Sequence, residues 1–307
     1  MAFNHKREKA RIDAVYNTAV KGTKKKLAIE YKKGLDEIRL ELARIYEKHS
    51  KAGVLTLSEM SQYNRLNNLN KSILATLKSM SVKATRQINT LSSNVYQESF
   101  FREGFIINNL SDINVNYGVL SPEKIAASVE NDLKYIGLKR NRTQVVLNVR
   151  GEITSSLIQG ESYTKMARRI KGALEKNINN AMRIARTEAH RSQIKGELDC
   201  IDYNREQGII VKKSWMATLD TETRDDHAAM DGQEADKDGY FHFPSGGKTQ
   251  GPGQSGIARQ DIHCRCNITE IVDDIKPQKR RVREKGITEY QTYDEWAKDN
   301  GIKRKAA

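Results

Sequence analysis

Apolar residues recur every three or four positions along the first part of the chain. The stripe starts at Leu27, advances in steps of four and three, and stops near Gly53. Its members are Leu27, Tyr31, Leu35, Ile38, Leu42 and Ile45. This spacing places apolar side chains on one face of an α-helix. The pattern therefore predicts a long amphipathic helix that ends at the Gly53 turn.

A second stripe follows and predicts a helix that begins at Thr56 or Ser58. Its apolar positions are Leu66, Leu69, Ile73, Leu77, Met80, Ala84, Ile88, Leu91 and Val95. Two striped helices joined by a short polar turn predict an antiparallel hairpin. The hairpin is either self-contained, each helix covering the other, or a coiled-coil surface for a partner. The first interpretation is favoured.

The helical pattern is interrupted by the bulky stretch "FFREGF" at 100–105 and by the Asn-rich residues after it. Ser121 and Pro122 then supply an N-cap and a first helical residue. Further helices are predicted at 122–135, 138–158, 162–175 and 178–206, with Gly208 closing the last.

After Gly208 the periodicity changes to alternation, which is typical of strands. Residues 210–216 and 264–272 both alternate, and we expect the second to return beside the first. The predicted fold is mainly α with a small C-terminal α+β domain and a long N-terminal helical hairpin. The predicted divisions are 1–120 (hairpin with a basic N-terminus), 121–208 (helical), 209–275 (α+β) and 276–307 (basic tail).

Composition agrees with an extended helical protein. Only 37% of the 307 residues are apolar, 30% are charged, and there are 4 prolines. Three cysteines form no disulfide framework, and no charged-then-apolar leader opens the chain, so we expect a reducing compartment. No apolar run is long enough to span a membrane, so no membrane partner is expected.

The formal net charge of +14 is unevenly placed. Residues 1–33 hold ten Lys or Arg against three acids, and residues 276–285 form a second basic run. Such clusters favour polyanions, with binding that depends on salt and ignores sequence. A solubilising face or a flexible arm is the equally weighted alternative. The DNA-binding candidates are Lys21, Lys24, Lys25, Lys26, Lys279, Arg280, Arg281 and Arg283.

The segment 214–233 contains a row of polar residues at helical spacing. If Asp220 caps a helix that reaches Asp231, then Asp220, Arg224, His227 and Asp231 share one face. A polar stripe that packs inward must be hydrogen-bonded. We therefore favour a structural network over a catalytic or metal site.

Two cysteines close the α+β segment in "DIHCRC", residues 261–266. The C-x-C spacing differs from that of zinc fingers, and on a strand His263 would point away from both sulfurs. Two buried, packed cysteines are the favoured interpretation. A metal site of Cys264, Cys266 and His227, joined by His242, is the alternative.

This pattern of residues resembles the C-terminal signature of MuF-type phage head-morphogenesis proteins, the minor capsid proteins of tailed phages. The resemblance covers roughly residues 178–272 and includes "ARTE" at 185–188, a Phe-Pro in a loop, and the cysteine pair separated by arginine. His263 departs from it, because family members often have asparagine there. The signature positions taken as a structural network are Trp215, Asp220, Arg224, His227, Asp231, Gly232, Arg186 and Glu188.

The resemblance implies a low-copy structural protein inside a tailed-phage head, near the portal, which acts in procapsid assembly and in DNA packaging or ejection. Its implied partners are the portal protein and double-stranded DNA bound non-specifically, with scaffolding or major capsid protein as further candidates. It would pass through the host cytoplasm during assembly. We expect no enzymatic activity and no cofactor beyond the alternative structural zinc. Because only a basic tail follows residue 276, no appended toxin or transferase domain is expected.

The rival hypothesis is an enzyme. A metal-dependent nuclease or phosphodiesterase would use His227, Asp220 and Asp231 near the cysteine pair, since such sites need several converging ligands.

Overall fold

A computed structural model describes residues 4–111, 113–272, 279–282, 286–289, 291–292, 295 and 298. Its helices are α1 (His5–His49), α2 (Leu57–Ser61), α3 (Arg65–Leu110), α4 (Pro122–Val129), α5 (Asp132–Ile158), α6 (Tyr163–Glu206), α7 (Asp225–Ala229) and α8 (Ala258–Asp261). Its strands are β1 (Val211–Met216), β2 (Phe241–His242), β3 (Lys248–Thr249), β4 (Asn267–Val272), β5 (Lys279–Val282) and β6 (Gly286–Glu289). Long helices followed by small antiparallel strands confirm the predicted fold class. Within the described ranges, no helix combines the length and apolar character needed to cross a bilayer.

The chain divides into two compact units that do not follow chain order. The signature unit comprises residues 1–19, 92–130 and 187–307, and the helical unit comprises residues 20–91 and 131–186. The predicted boundaries at 120 and 208 do not coincide with this division. The reason is that α1, α3 and α6 each contribute residues to both units.

The helical unit buries the predicted apolar stripes. Leu27, Ile38, Ile73 and Leu77 are each at most 2% exposed. The two stripes run antiparallel, since Lys83 pairs with Glu30 at 3.3 Å. The apolar faces are not covered by the hairpin alone, because α5 and α6 also pack here. The hairpin is therefore part of a larger helical assembly within this chain.

A buried polar network joins three helices of this unit. The Tyr31 hydroxyl donates to Asn177 Oδ1 at 2.7 Å, and Asn177 Nδ2 donates to Asn141 Oδ1 at 2.7 Å. The network explains why α6 continues through residues 175–178, where the sequence predicted a break. Asparagine is a weak helix former, but here its side chain is satisfied by tertiary hydrogen bonds.

The signature unit packs the end of α3 against α6 and the small strands. The predicted interruption at 100–105 is wrong: α3 continues to Leu110, because Phe100 is 1% exposed and packs into the core of this unit. The two helices approach closely at Gly196, where an added Cβ would lie 2.4 Å from the Tyr96 carbonyl oxygen. Strands β1 and β4 pair antiparallel from Val211↔Val272 to Met216↔Asn267, as predicted.

A buried ionic cluster ties the first helix into this unit. Lys9 Nζ lies 2.7 Å from a carboxylate oxygen of Glu103, 2.9 Å from one of Glu197 and 2.8 Å from one of Glu270. His5 pairs with the other oxygen of Glu270. Burial alone would lower the pKa of Lys9, but the three carboxylates raise it well above its ordinary value. Lys9 is therefore held by carboxylates and is not available to DNA phosphates.

Candidate functional site

Trp215 lies at the centre of the signature segment. It is 1% exposed, its backbone N–H donates to the Gln233 carbonyl at 2.8 Å, and its carbonyl accepts from Gly232 at 2.9 Å. Gly232 has φ 78°, a left-handed conformation that favours glycine. The Met230-Asp231-Gly232 turn is thus folded back onto β1.

Asp220 lies in a turn and does not cap a helix. Its Oδ1 accepts from the Glu222 N–H at 3.0 Å, and both carboxylate oxygens pair with Arg265, one at 2.8 Å. The predicted helix from Asp220 to Asp231 is wrong, because α7 covers only Asp225–Ala229. A short aspartate side chain that satisfies a nearby N–H favours a turn over the first turn of a helix.

The other polar signature residues also hold loop backbone. Arg224 donates to the carbonyls of Gln260, at 3.4 Å, and of Ile262. Asp231 Oδ1 accepts from the Ala217 N–H at 2.7 Å. The predicted polar stripe on one helix face is therefore replaced by side chains that each bind a different loop. This arrangement holds α7 between the end of β1 and the segment that precedes β4.

His227 lies beside the two cysteines. Its Nδ1 is 3.6 Å from Cys264 Sγ and 3.4 Å from Cys266 Sγ. The three ligand atoms all lie within 4.8 Å of one another, and the side chains are at most 4% exposed. Within the described part of the chain, this is the group of histidine, cysteine and acidic residues that could hold a metal ion.

The prediction that Cys264 and Cys266 lie on a β-strand is wrong. Strand β4 begins at Asn267, so Cys264 and Cys266 lie on irregular backbone that follows α8. His263 adopts φ 61°, in the left-handed region where asparagine, aspartate and histidine are enriched among the residues other than glycine. The strand geometry used for the C-x-C pair therefore does not apply, and the third member of the group is His227, not His263. His242 is exposed and pairs with Asp236 at 2.7 Å.

The second ring nitrogen of His227 is also bound. Nε2 lies 3.0 Å from Gln260 Oε1, and the Gln260 amide donates to Asp226. Aromatic rings surround the imidazole: Trp215 stands edge-on at 5.4 Å and Phe243 stacks at 5.9 Å. Three further residues support the site, namely Gln260, Asp226 and Arg265. Of these, only Arg265 could have been singled out from the sequence, because it lies between the two cysteines.

The two thiols differ electrostatically. Burial raises the pKa of Cys264 well above its ordinary value. A hydrogen bond from the Cys264 thiol lowers the pKa of Cys266 well below it, and His227 adds to this effect. The thiolate is the form of cysteine that binds metal ions.

The "ARTE" helix reaches the same region through His190. This residue is 5% exposed, and its Nε2 lies 2.9 Å from the Cys266 carbonyl oxygen. Burial lowers the pKa of His190. Glu188, also 5% exposed, lies within the signature unit, whereas Arg186 is the last residue of the helical unit.

Asp220, His227 and Asp231, the residues of the rival enzyme hypothesis, bind different groups. Asp220 pairs with Arg265, Asp231 accepts from the Ala217 backbone, and His227 faces the cysteines. The two carboxylates are not members of the possible metal-binding group among the described residues.

The basic candidates lie on exposed helix and in the C-terminal strands. Lys21, Lys25 and Lys26 are exposed in α1, and Lys24 is half-buried. Lys279, Arg280 and Arg281 lie in β5, where the backbone alone is described. Arg283 and most of the 276–307 tail lie outside the described residues.

Comparison with known proteins places this architecture in a class. The family model described as "Phage Mu protein F like protein" matches residues 147–269, a range that starts further toward the N-terminus than the expected signature. Minor head protein GP7 of Bacillus phage SPP1 is 28% identical over 295 residues, which cover 94% of this chain and 96% of that protein. Residues 147–269 therefore carry a Mu F-like segment, and nearly the whole chain is similar to a phage minor head protein.

A second relative carries an enzyme name. NAD(+)--arginine ADP-ribosyltransferase EFV of Enterococcus faecalis (strain ATCC 700802 / V583) is 31% identical over 274 residues. The match covers 88% of this chain but 55% of that protein, so the chain spans about half of its length. No solved structure matches the chain significantly.

Proposed function

We propose that this protein is a non-enzymatic, low-copy minor head protein that lies inside the capsid of a tailed phage near the portal. It binds packaged double-stranded DNA without reading sequence and contacts the portal protein during head assembly. Similarity to the Mu F-like family model and to minor head protein GP7 supports the head role. The observation that carries the DNA-binding function is the distribution of charge between the two units.

The helical unit holds the whole charge excess of the chain. It contains 27 Lys and Arg against 10 Asp and Glu, a net charge of +17. The signature unit contains 26 against 29, a net charge of −3. The 10 acidic residues therefore neutralise fewer than half of the 27 cationic charges of this unit. A concentration of charge of this kind attracts DNA through release of counterions.

The lysines of α1 are arranged to contact phosphates. At 100° per residue, Lys21, Lys25 and Lys32 fall within about 40° of one another around the helix. All three are exposed. Flexible, exposed ammonium groups neutralise phosphates as point charges and carry no base specificity. This helix face is therefore assigned to the DNA backbone.

The portal contact is assigned to the same unit. Ile29, Leu40 and Leu147 are each more than half exposed on its helices. Apolar side chains on a charged surface suit a protein partner better than a polyanion. Scaffolding or major capsid protein would use the same kind of surface.

The salt dependence of DNA binding tests the proposal. Replacing Lys21, Lys25 and Lys32, the three exposed lysines of this face, by glutamine should weaken binding of a mixed-sequence DNA duplex. The slope of log K against log salt should fall by about 0.9 for each lysine that contacts a phosphate. Fluorescence anisotropy across a salt series measures both quantities.

The control removes the same number of charges from the signature unit. Lys124, Lys237 and Arg259 are exposed there, and their replacement by glutamine should leave the slope almost unchanged. Equal losses in both variants, or a strong preference for one DNA sequence, would overturn the proposal. Cleavage of the duplex by wild-type protein with Mg²⁺, Mn²⁺ or Zn²⁺ would favour the enzyme instead.

A further inference from the structure

We infer that His227, Cys264 and Cys266 form a structural Zn²⁺ site that joins α7 to the segment before β4. The inference rests on the positions of three buried ligand atoms and on the hydrogen bonds behind them. It does not depend on DNA binding or on contact with the portal.

The interatomic distances match a tetrahedral zinc centre. Zinc binds imidazole nitrogen at about 2.0–2.1 Å and thiolate sulfur at about 2.3 Å, so two such ligands at a tetrahedral angle lie about 3.6 Å apart. Nδ1 of His227 is 3.6 Å from Cys264 Sγ and 3.4 Å from Cys266 Sγ. Both nitrogen-to-sulfur distances are therefore already those of a zinc coordination sphere, and the two sulfurs lie within 4.8 Å of each other.

The tautomer of His227 is fixed for metal binding. The Gln260 amide donates to Asp226, which turns its carbonyl oxygen toward His227 Nε2 at 3.0 Å. A carbonyl oxygen can only accept, so Nε2 must carry the proton. The lone pair is then on Nδ1, which faces both sulfurs. Metal-binding histidines are held by this kind of outer hydrogen bond.

The donor set selects the ion. One imidazole nitrogen and two cysteine sulfurs suit Zn²⁺, whereas Mg²⁺ and Ca²⁺ prefer oxygen. The ion would favour the deprotonated form of both cysteines, as zinc does with coordinating thiols. Among the described residues the group would supply three of the four ligands of a tetrahedral zinc, which would leave one position open.

The site has a clear structural task. Helix α7 contains five residues, too few to be stable alone. The segment from His263 to Cys266 has no regular secondary structure. A zinc ion bound by residues from both would link the two elements directly, within the core that also contains Trp215 and Phe243.

Metal content tests the site directly. Full-length protein, produced with zinc in the medium and purified without chelators, should contain about one zinc per chain by elemental analysis. The content should fall at least tenfold in Cys264→Ser, Cys266→Ser and His227→Ala. Cys200→Ser is the matched control and should retain zinc, because Cys200 is buried but lies outside the group.

Gln260→Ala separates this role from a simple loss of folding. Removing the outer hydrogen bond while all three ligands remain should weaken zinc binding about 10- to 100-fold, measured by competition with a chelator dye. Wild-type protein loaded with Co²⁺ should show a thiolate-to-cobalt charge-transfer band, which requires no variant at all.

Two results would overturn the inference. Wild-type protein that holds no zinc, and takes up none when zinc is added, would leave the cysteines as packing residues. A count of one free thiol in denatured, unreduced protein would show a Cys264–Cys266 disulfide. Three free thiols together with one zinc is the result expected.

Discussion

Lys213 carries an amino group into the interior of the signature unit. The residue is 4% exposed in β1, its Nζ donates to the Gln250 carbonyl at 2.8 Å, and it lies 5.7 Å from the Phe241 ring centre. Burial lowers the pKa of Lys213 to about 8. A charged ammonium in this position therefore reduces stability at neutral pH.

The pH dependence of unfolding should reveal this lysine. Between pH 8 and pH 10.5 the unfolded chain binds the Lys213 proton more tightly than the folded chain does, so the free energy of unfolding rises with pH in this window. In urea unfolding, the Lys213→Met variant should not show this rise in the free energy of unfolding. The Lys212→Met variant, which changes the exposed neighbouring position, should still show it. Identical pH profiles for wild type and Lys213→Met would contradict the assignment.

Lys9 gives the opposite case of a cation that the fold requires. The side chains of Glu103, Glu197 and Glu270 are at most 2% exposed, so Lys9→Met would leave three buried carboxyl groups without their ammonium partner. We expect a loss of about 3–5 kcal/mol in the free energy of unfolding. Arg11→Met should cost less than about 1 kcal/mol, because the Arg11–Glu8 pair is exposed. Equal costs in urea unfolding would show that the cluster is not buried as described.

At the scale of elements, the sequence predicted which helices and strands exist better than it predicted where a helix continues without a break. The apolar stripes, the Ser121 N-cap and the β1–β4 pair are present. The predicted start of the second long helix is wrong: Thr56 caps only the short α2, the chain kinks at Tyr63, and the helix that carries the stripe begins at Arg65.

The continuation of α6 through Asn177 and of α3 through Phe100 depends on tertiary contacts. Asn177 hydrogen-bonds to side chains distant in sequence, and Phe100 packs into the core. Local propensity contains neither contact, so two helices were predicted to end too early.

Helix α6 offers a test of element packing at two glycines. At Gly196 an added Cβ would meet the Tyr96 backbone at 2.4 Å, whereas at Gly172 no other atom lies within 4 Å. Gly196→Ala should therefore destabilise the protein, by about 1–3 kcal/mol as an overpacked site. Gly172→Ala should stabilise it by up to about 1 kcal/mol through helix propensity. Thermal unfolding should show a lower melting temperature for Gly196→Ala and a higher one for Gly172→Ala. A higher melting temperature for Gly196→Ala would disprove the close approach of the two helices.

For the whole molecule, composition showed that the protein is basic but did not show that the excess charge lies in the helical unit. Counting residues 1–33 included Lys9, which is held by three carboxylates, and missed the cations of α5 and α6. The site followed a similar course. The sequence identified His227, Cys264 and Cys266 as candidate ligands. It did not reveal the turn at Asp220, which depends on an ion pair with Arg265, distant in sequence. Nor did it reveal the irregular backbone at 264–266, where the Cys264 N–H donates to the Asp261 carbonyl within a loop.

The ionic cluster also governs when the signature unit can be completed on the ribosome. Glu270 is made long after Lys9, because about 260 residues separate the two along the chain. At about 5–20 residues per second, on the order of tens of seconds separate the two. During that interval the start of α1 has emerged without one of its buried carboxylate partners. The unit must therefore close late in translation, so nascent chains interrupted before β4 should expose the beginning of α1 to chaperones and proteases.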